Sequence, residues 1–312
     1  MNIQTAVVMV RQAGSAAGIV PAMEDFIDME TGCNVDLIAF PQAIPTCREV
    51  LGTKEQLLLH CVRDEGDAKN FFLSKIANAA FFLSGTSSEA EADAFYWRSA
   101  RAHGVPSIAY LDQYSNIEKR FPGVTPGDWP DSLAVIDEHD KALASRIAPS
   151  GVRIVVIGSP ALERTKARYQ ELRSQGIVSE PDRIVFATEP VENPEEFRAI
   201  NGFTDEDSFE FVKEMIRRKH PGSRLVVRLH PRDSKERWRG SIPDDFPVEW
   251  DYDTRALCLA RAARVFGMRS FFLREAAECG VPVVSVQPQR RTECPLTDGR
   301  MQVVTRLDDY LP

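Results

Sequence analysis

Short apolar runs rich in β-branched residues recur along the chain, and between them lie longer segments whose apolar positions repeat every three to four residues. In the first half, runs 5–10, 35–39, 56–62, 79–83 and 106–111 predict strands, and 19–30, 68–78 and 89–103 predict helices. Two more strands, 133–136 and 154–157, follow an irregular segment over 112–131. A polar helix at 161–175 and a linker at 176–182 open a second series. Its strands fall at 184–187, 225–229, 248–250, 264–266 and 283–286, and its helices at 208–219, 254–262 and 271–279. Strands separated by helices pair in parallel through right-handed crossovers. The expected fold class is therefore α/β: two Rossmann-like, doubly wound parallel-sheet domains facing a cleft, over 1–178 and 179–312. The halves share a pattern but no sequence repeat.

Composition narrows the class. With 312 residues, 43% hydrophobic and 27% charged, the chain can bury two ordinary cores. No run approaches the length a spanning helix needs, and residues 1–11 lack the basic start and cleavage site of a signal peptide, so a cytoplasmic protein without a transmembrane segment is expected. A net charge of −8 argues against a nucleic-acid partner; the basic clusters at 217–220 and 290–291 read as a solvated helix end and loop. The cysteines at 33, 47, 61, 258, 279 and 294 form no CxxC pair and no His/Cys zinc spacing, and no metal site is expected.

The chemistry-bearing residues gather where strands end. After the first strand, Arg11-Gln12-Ala13-Gly14-Ser15-Ala16-Ala17-Gly18 is a small-residue turn into a helix. It departs from the dinucleotide fingerprint, having G-x-x-x-G in place of G-x-G-x-x-G. It serves either tight geometry alone or close approach of a sugar or acceptor to Gly14 and Ser15. Another strand ends in Ser84-Gly85-Thr86-Ser87-Ser88, where a helix cap uses one or two of four hydroxyls and leaves Gly85, Thr86 and Ser87 as sugar or acceptor candidates. Asp112 and Gln113 leave the strand at 106–111; a carboxylate there is a general base toward an acceptor hydroxyl or a cap of the next turn. Asp137 has the same two readings, with capping favoured.

In the second half, Thr188 ends the first strand, and His230-Pro231-Arg232 ends the second with two groups suited to a phosphate. Gly267, Met268 and Ser270 join a strand to a helix: the glycine allows close backbone approach, the serine caps the helix or turns to a phosphate, and Glu275 follows within reach of a ribose.

Together the His-Pro turn and the serine-bearing turn resemble the nucleotide-binding half of GT-B glycosyltransferases, especially those with cytidine-activated donors: bacterial sialyltransferases, Kdo transferases and glycerophosphotransferases. In those families the His-Pro pair contacts the nucleotide and the serine motif its phosphate, which the resemblance places on His230, Pro231 and Ser270. The segments Gly85-Thr86-Ser87, Leu111-Asp112-Gln113, Gly158-Ser159-Pro160, His230-Pro231-Arg232 and Gly267-Met268 with Ser270 are also similar to bacterial proteins of polysaccharide-gene type, and to nucleotide-sugar 2-epimerases and hydrolases of the same fold. The acidic pair with seven intervening residues that marks retaining enzymes is not evident around Glu275, so inversion is expected.

The resemblance thus implies a metal-independent, inverting glycosyltransferase of bacterial glycan synthesis. It would take a CMP-, CDP- or UDP-linked sugar as substrate, a small molecule or glycan as acceptor, and no further cofactor. Asp112 and His230 are the expected catalytic residues. An epimerase or hydrolase, or a non-catalytic nucleotide- or sugar-binding protein, stays open beside it.

Overall fold

A computed structural model describes residues 4–28, 33–51, 57–87, 90–112, 117–121, 125–191, 193–239, 246, 248–294 and 299–312. The chain divides into two compact units, Met1–Ala161 and Leu162–Pro312.

In the first unit, strands β1 (Gln4–Val10), β2 (Cys33–Ala39), β3 (Leu57–Cys61), β4 (Ala79–Gly85), β5 (Ser107–Tyr110), β6 (Ser132–Val135) and β7 (Arg153–Val156) form one sheet, every pairing parallel. Its order is β3-β2-β1-β4-β5-β6-β7. The helices are α1 (Ala13–Asp28), α2 (Ile44–Leu51), α3 (Glu65–Ile76), α4 (Ala90–Ala102) and α5 (Glu138–Ser145). Residues Val7 to Val10 are all buried, as a parallel strand covered on both faces requires. The core holds Phe72 edge-on to both Phe82 and Tyr96, each at 4.9 Å between ring centroids. Buried Trp97 donates its Nε1–H to Ser84 Oγ at 3.0 Å.

The second unit begins with most of α6 (Pro160–Ser174) and carries β8 (Arg183–Ala187), α7 (Pro194–Asn201), α8 (Asp205–Lys219), β9 (Arg224–Arg228), α9 (Lys235–Arg239), β10 (Val248–Trp250), α10 (Arg255–Arg261), β11 (Arg264–Gly267), α11 (Phe271–Glu278), β12 (Val283–Val286) and β13 (Met301–Val304). Its sheet, again all parallel, has the order β10-β9-β8-β11-β12-β13. Phe186, Phe209 and Trp238 pack edge-on or tilted at its centre. Helix α8 starts at a capping box, Thr204 with Asp207, and ends in Arg217, Arg218 and Lys219, which oppose its dipole charge.

The predicted strands match this order, and the differences have local causes. Helix α1 begins at Ala13 rather than 19, so Gly14 and Ser15 lie in its first turn and Pro21 inside it. Helices α2 and α7 are short and proline-bearing, and β13 is only Met301–Val304, too brief for a periodic signal. Leu172 of α6 packs with Ala256 and Ala260 of α10, which joins most of α6 to the second unit.

Candidate functional site

Each sheet reverses direction of growth at its first strand, between β1 and β4 in one unit and between β8 and β11 in the other. In open parallel sheets such a switch point leaves a crevice at the carboxyl strand ends, where ligands bind. The motifs singled out by sequence sit at both.

In the first unit, α1 approaches its neighbours closely. A Cβ on Gly14 would lie 2.4 Å from Asp112 Oδ2, one on Gly18 would lie 2.2 Å from the Tyr110 ring, and one on Gly85 would lie 2.3 Å from Ser15 Cβ. The missing side chains let the first turn of α1 lie against the ends of β4 and β5. Ser15 Oγ donates to Gln12 O at 2.9 Å inside the helix start. The Asp112 carboxylate therefore lies at the amino end of α1, where the helix dipole favours an anion. Its Oδ1 also accepts from Arg120 Nη1 at 2.8 Å. The same Nη1 reaches Thr86 Oγ1 at 2.7 Å and Thr86 O at 2.9 Å. Arg120 is the cation that ties the end of β4 to Asp112.

The surplus of hydroxyls after β4 is largely accounted for within the protein. Ser84 accepts from Trp97, Thr86 holds Arg120, and Ser87 donates to Asp93 Oδ2 at 2.8 Å. Asp93 in turn accepts Arg11 Nε at 2.6 Å, and Arg11 Nη1 pairs with Glu65 at 2.7 Å. Arg11, Glu65 and Asp93 are thus committed to one another. Asp137 caps α5, its Oδ1 accepting from Asp140 N at 2.8 Å. Gln113 and Ser88 lie outside the described residues.

In the second unit, the end of β8 meets the ends of β9 and β11. Buried Thr188 accepts the His230 N–H on its Oγ1 at 2.8 Å. His230 Nδ1 accepts from Arg232 N at 3.1 Å, and Asp233 N donates back to His230 O at 2.8 Å, closing the turn that Pro231 shapes. Burial, with Arg232 and Arg255 nearby, pushes the His230 ring down to about 4 against the opposing pull of Asp233. The ring is neutral at pH 7, with its proton on Nε2. Pro231 and Arg232 are exposed.

On the other side of β8, Gly267 is already used by the protein: a Cβ there would meet Ala187 O at 3.1 Å and Leu273 Cδ2 at 3.2 Å. Buried Met268 presents its carbonyl to the Ser285 hydroxyl. Ser270 is the N-cap of α11, its Oγ accepting from Phe272 N at 3.2 Å. Glu275, fully buried on the same helix, takes Arg255 Nη1 at 2.9 Å and Thr165 Oγ1 at 3.1 Å on Oε1. Its Oε2 is buried without a hydrogen-bond partner among the described residues. Sequence reasoning passed over Arg255, and also Glu189, whose Oε2 accepts from Arg269 N at 2.8 Å. The only signal for Glu189 is a carboxylate directly after Thr188 at a strand end.

Among the described residues, no three His, Cys, Asp or Glu side chains gather as a metal site, and no helix is long and apolar enough to cross a membrane.

No family model and no curated protein matches the sequence. Solved structures do match the fold. A UDP-GlcNAc 2-epimerase from Methanocaldococcus jannaschii, in complex with UDP-GlcNAc and UDP, aligns with a TM-score of 0.66 at 14% identity over 98% of this chain and 90% of its own. The UDP-GlcNAc 2-epimerase from Neisseria meningitidis bound to UDP-GlcNAc gives 0.63 at 11% identity, over 98% and 89%. The glycotransferase of kitacinnamycin gives 0.54 at 14% identity, over 98% and 87%. The two parallel-sheet α/β units thus have the GT-B-like fold of these neighbours.

Proposed function

We propose that the protein is an enzyme acting on a nucleotide sugar, and that it transfers the glycosyl group to a hydroxyl with inversion. The second unit is assigned the nucleotide, the first the sugar and acceptor. The observation that carries this reading is that β9 and β11 flank β8, so that a neutral histidine with its N–H on Nε2 and a serine-capped helix start follow the strands on either side of β8, next to the β8/β11 switch point. Fixed donors of this kind stabilise the charge of a departing phosphate. His230 and Arg232 are assigned to the leaving group, Thr188 and Pro231 to shaping their turn, and Gly267, Met268 and Ser270 to the phosphate turn. Glu275 is assigned to the ribose side through the helix it shares with Ser270.

Asp112 is assigned as the base. Its Oδ1 is held by Arg120 while its Oδ2 faces Gly14 at the start of α1, which supports Oδ2 as the oxygen that takes a proton from a hydroxyl. Ser15, Gly85, Thr86 and Ser87, whose hydroxyls and close approach are used within the protein, are assigned to shaping the sugar or acceptor side rather than to direct contact, and Gln113 is assigned to the same side by its place after Asp112. With protein donors stabilising the phosphate, turnover is expected to survive EDTA.

A second reading, a nucleotide-sugar 2-epimerase or hydrolase, is favoured by the higher TM-scores to two UDP-GlcNAc 2-epimerases than to a glycotransferase. Product analysis separates these readings. Incubation with CMP-, CDP- and UDP-linked sugars, followed by NMR, yields nucleotide released only with an acceptor for a transferase, nucleotide released into water alone for a hydrolase, and an isomerised sugar still on its nucleotide for an epimerase. No change in any donor, with or without acceptors, removes the enzymatic reading.

A further inference from the structure

We infer that Arg228 is a positioning residue that joins the His230 turn and the Ser270 turn into one preformed phosphate site. The inference rests on the nucleotide reading of that site and adds a residue that acts on it through its neighbours.

In the second sheet, β8 separates the strand that leads to His230 from the strand that leads to Ser270. Arg228, the last residue of β9, spans that separation. Its main chain belongs to the His230 side. The Thr188 N–H donates to Arg228 O at 3.0 Å, and Thr188 Oγ1 accepts the His230 N–H at 2.8 Å. Its side chain reaches the Ser270 side, where the guanidinium carbon lies over the Phe272 ring, 4.8 Å from its centre. Phe272 stands in the first turn of α11, and its own N–H is the one that Ser270 Oγ holds at 3.2 Å. One residue thus links the backbone of the first turn to the capped helix start of the second.

The guanidinium is aimed from a third direction. Arg228 Nη1 pairs with Asp251 Oδ2 and donates to Asp253 O at 3.1 Å, both just after β10. The Asp251 side chain is fully buried, and its Oδ1 accepts from Arg183 Nη2 at 3.0 Å. A carboxylate held by a second, buried arginine is a fixed anchor for the first. The planar guanidinium can pair with Asp251 through its edge and cover Phe272 with its face at the same time, which the ammonium of a lysine cannot do. A nucleotide that meets two turns already set against each other does not have to order them as it binds.

Calorimetric titration of CMP, CDP, UDP, GDP and ADP into the wild type, Arg228→Lys, Phe272→Leu, Phe272→Tyr and the double variant of Arg228→Lys with Phe272→Leu tests the inference. Lysine keeps a cation for Asp251 and loses the plane; leucine keeps apolar bulk and loses the ring; tyrosine keeps the ring. Arg228→Lys and Phe272→Leu are each expected to weaken nucleotide binding on the order of tenfold, while Phe272→Tyr keeps wild-type affinity. The double variant is expected to bind no more weakly than the weaker of the two single variants, because both changes remove the same contact. Thermal melting verifies folding, and if Arg228→Lys melts too early to titrate, Phe272→Leu and Phe272→Tyr decide the matter. Wild-type affinity in Arg228→Lys and Phe272→Leu, losses that multiply in the double variant, or equal losses in Phe272→Leu and Phe272→Tyr overturn the inference and leave the nucleotide reading intact. Absence of binding of all five nucleotides by the wild type overturns both.

Discussion

The Arg232 N–H donates to Nδ1 of His230 at 3.1 Å, so the proton of the neutral ring sits on Nε2, the nitrogen left to meet a ligand. Burial and the nearby Arg232 and Arg255 hold the ring down to about 4, below the ordinary 6.5. The folded protein therefore resists a proton that the unfolded chain accepts. Stability from this group is fully present above about pH 6.5 and is lost as pH falls toward 4. His60 and His220 are shifted the same way by burial and share the acid limb. Denaturant titrations between pH 7 and 4 should show a shallower loss of stability in His230→Gln than in the wild type. Equal slopes would mean that the ring is not held neutral.

Gly14 and Asp112 form the second pair that can be tested. An alanine methyl at 14 would lie 2.4 Å from Asp112 Oδ2 and must displace the carboxylate. With a substrate pair in hand, Asp112→Asn should lose roughly 10²–10⁴-fold in turnover, the usual contribution of a general base. Gly14→Ala should lower turnover in the same direction, and both variants should keep wild-type nucleotide affinity. Full turnover in Asp112→Asn would remove Asp112 from the mechanism.

Gly202 ends α7 with φ 92°, and a Cβ there would meet Gln289 O at 2.2 Å. The contact docks α7 on the 287–294 loop, where Arg291 N also donates to Asn201 O at 2.9 Å. Gly202→Ala combines a left-handed backbone with a clash against a carbonyl, and should cost more than about 1 kcal/mol in urea unfolding. Wild-type stability in this variant would show that α7 is free to shift.

These pairings explain what the sequence could show. Alternating strand and helix patterns carry the topology because parallel strands buried on both faces, such as Val7 to Val10, leave continuous apolar runs. Gly267, Ser270 and His230 were legible as strand-end motifs, since glycine, serine and His-Pro are unusual there. Their partners were not. Arg120 meets Thr86 across 34 residues and Glu189 meets Arg269 across 80, and no local spacing encodes such contacts. The hydroxyls after β4 read as a surplus because their partners, the donors Arg120 and Trp97 and the acceptor Asp93, come from other elements. Helix α7 was hidden by its length and by Pro194, although the Asn193 cap that starts it, accepting from Glu196 N at 3.2 Å, is a recognisable signal.

Nucleotide affinity of the wild type, His230→Ala and Ser270→Ala, measured by calorimetry with CMP, CDP, UDP, GDP and ADP, tests the central claim most directly. The account predicts saturable binding of at least one nucleotide by the wild type, weakened by about 1–3 kcal/mol in each variant, the range for hydrogen bonds to a charged group. Folding should be little changed, apart from up to about 1–2 kcal/mol for the lost cap in Ser270→Ala. Unchanged affinity in both variants, or no binding by the wild type, would contradict it and leave these turns as parts of the scaffold alone.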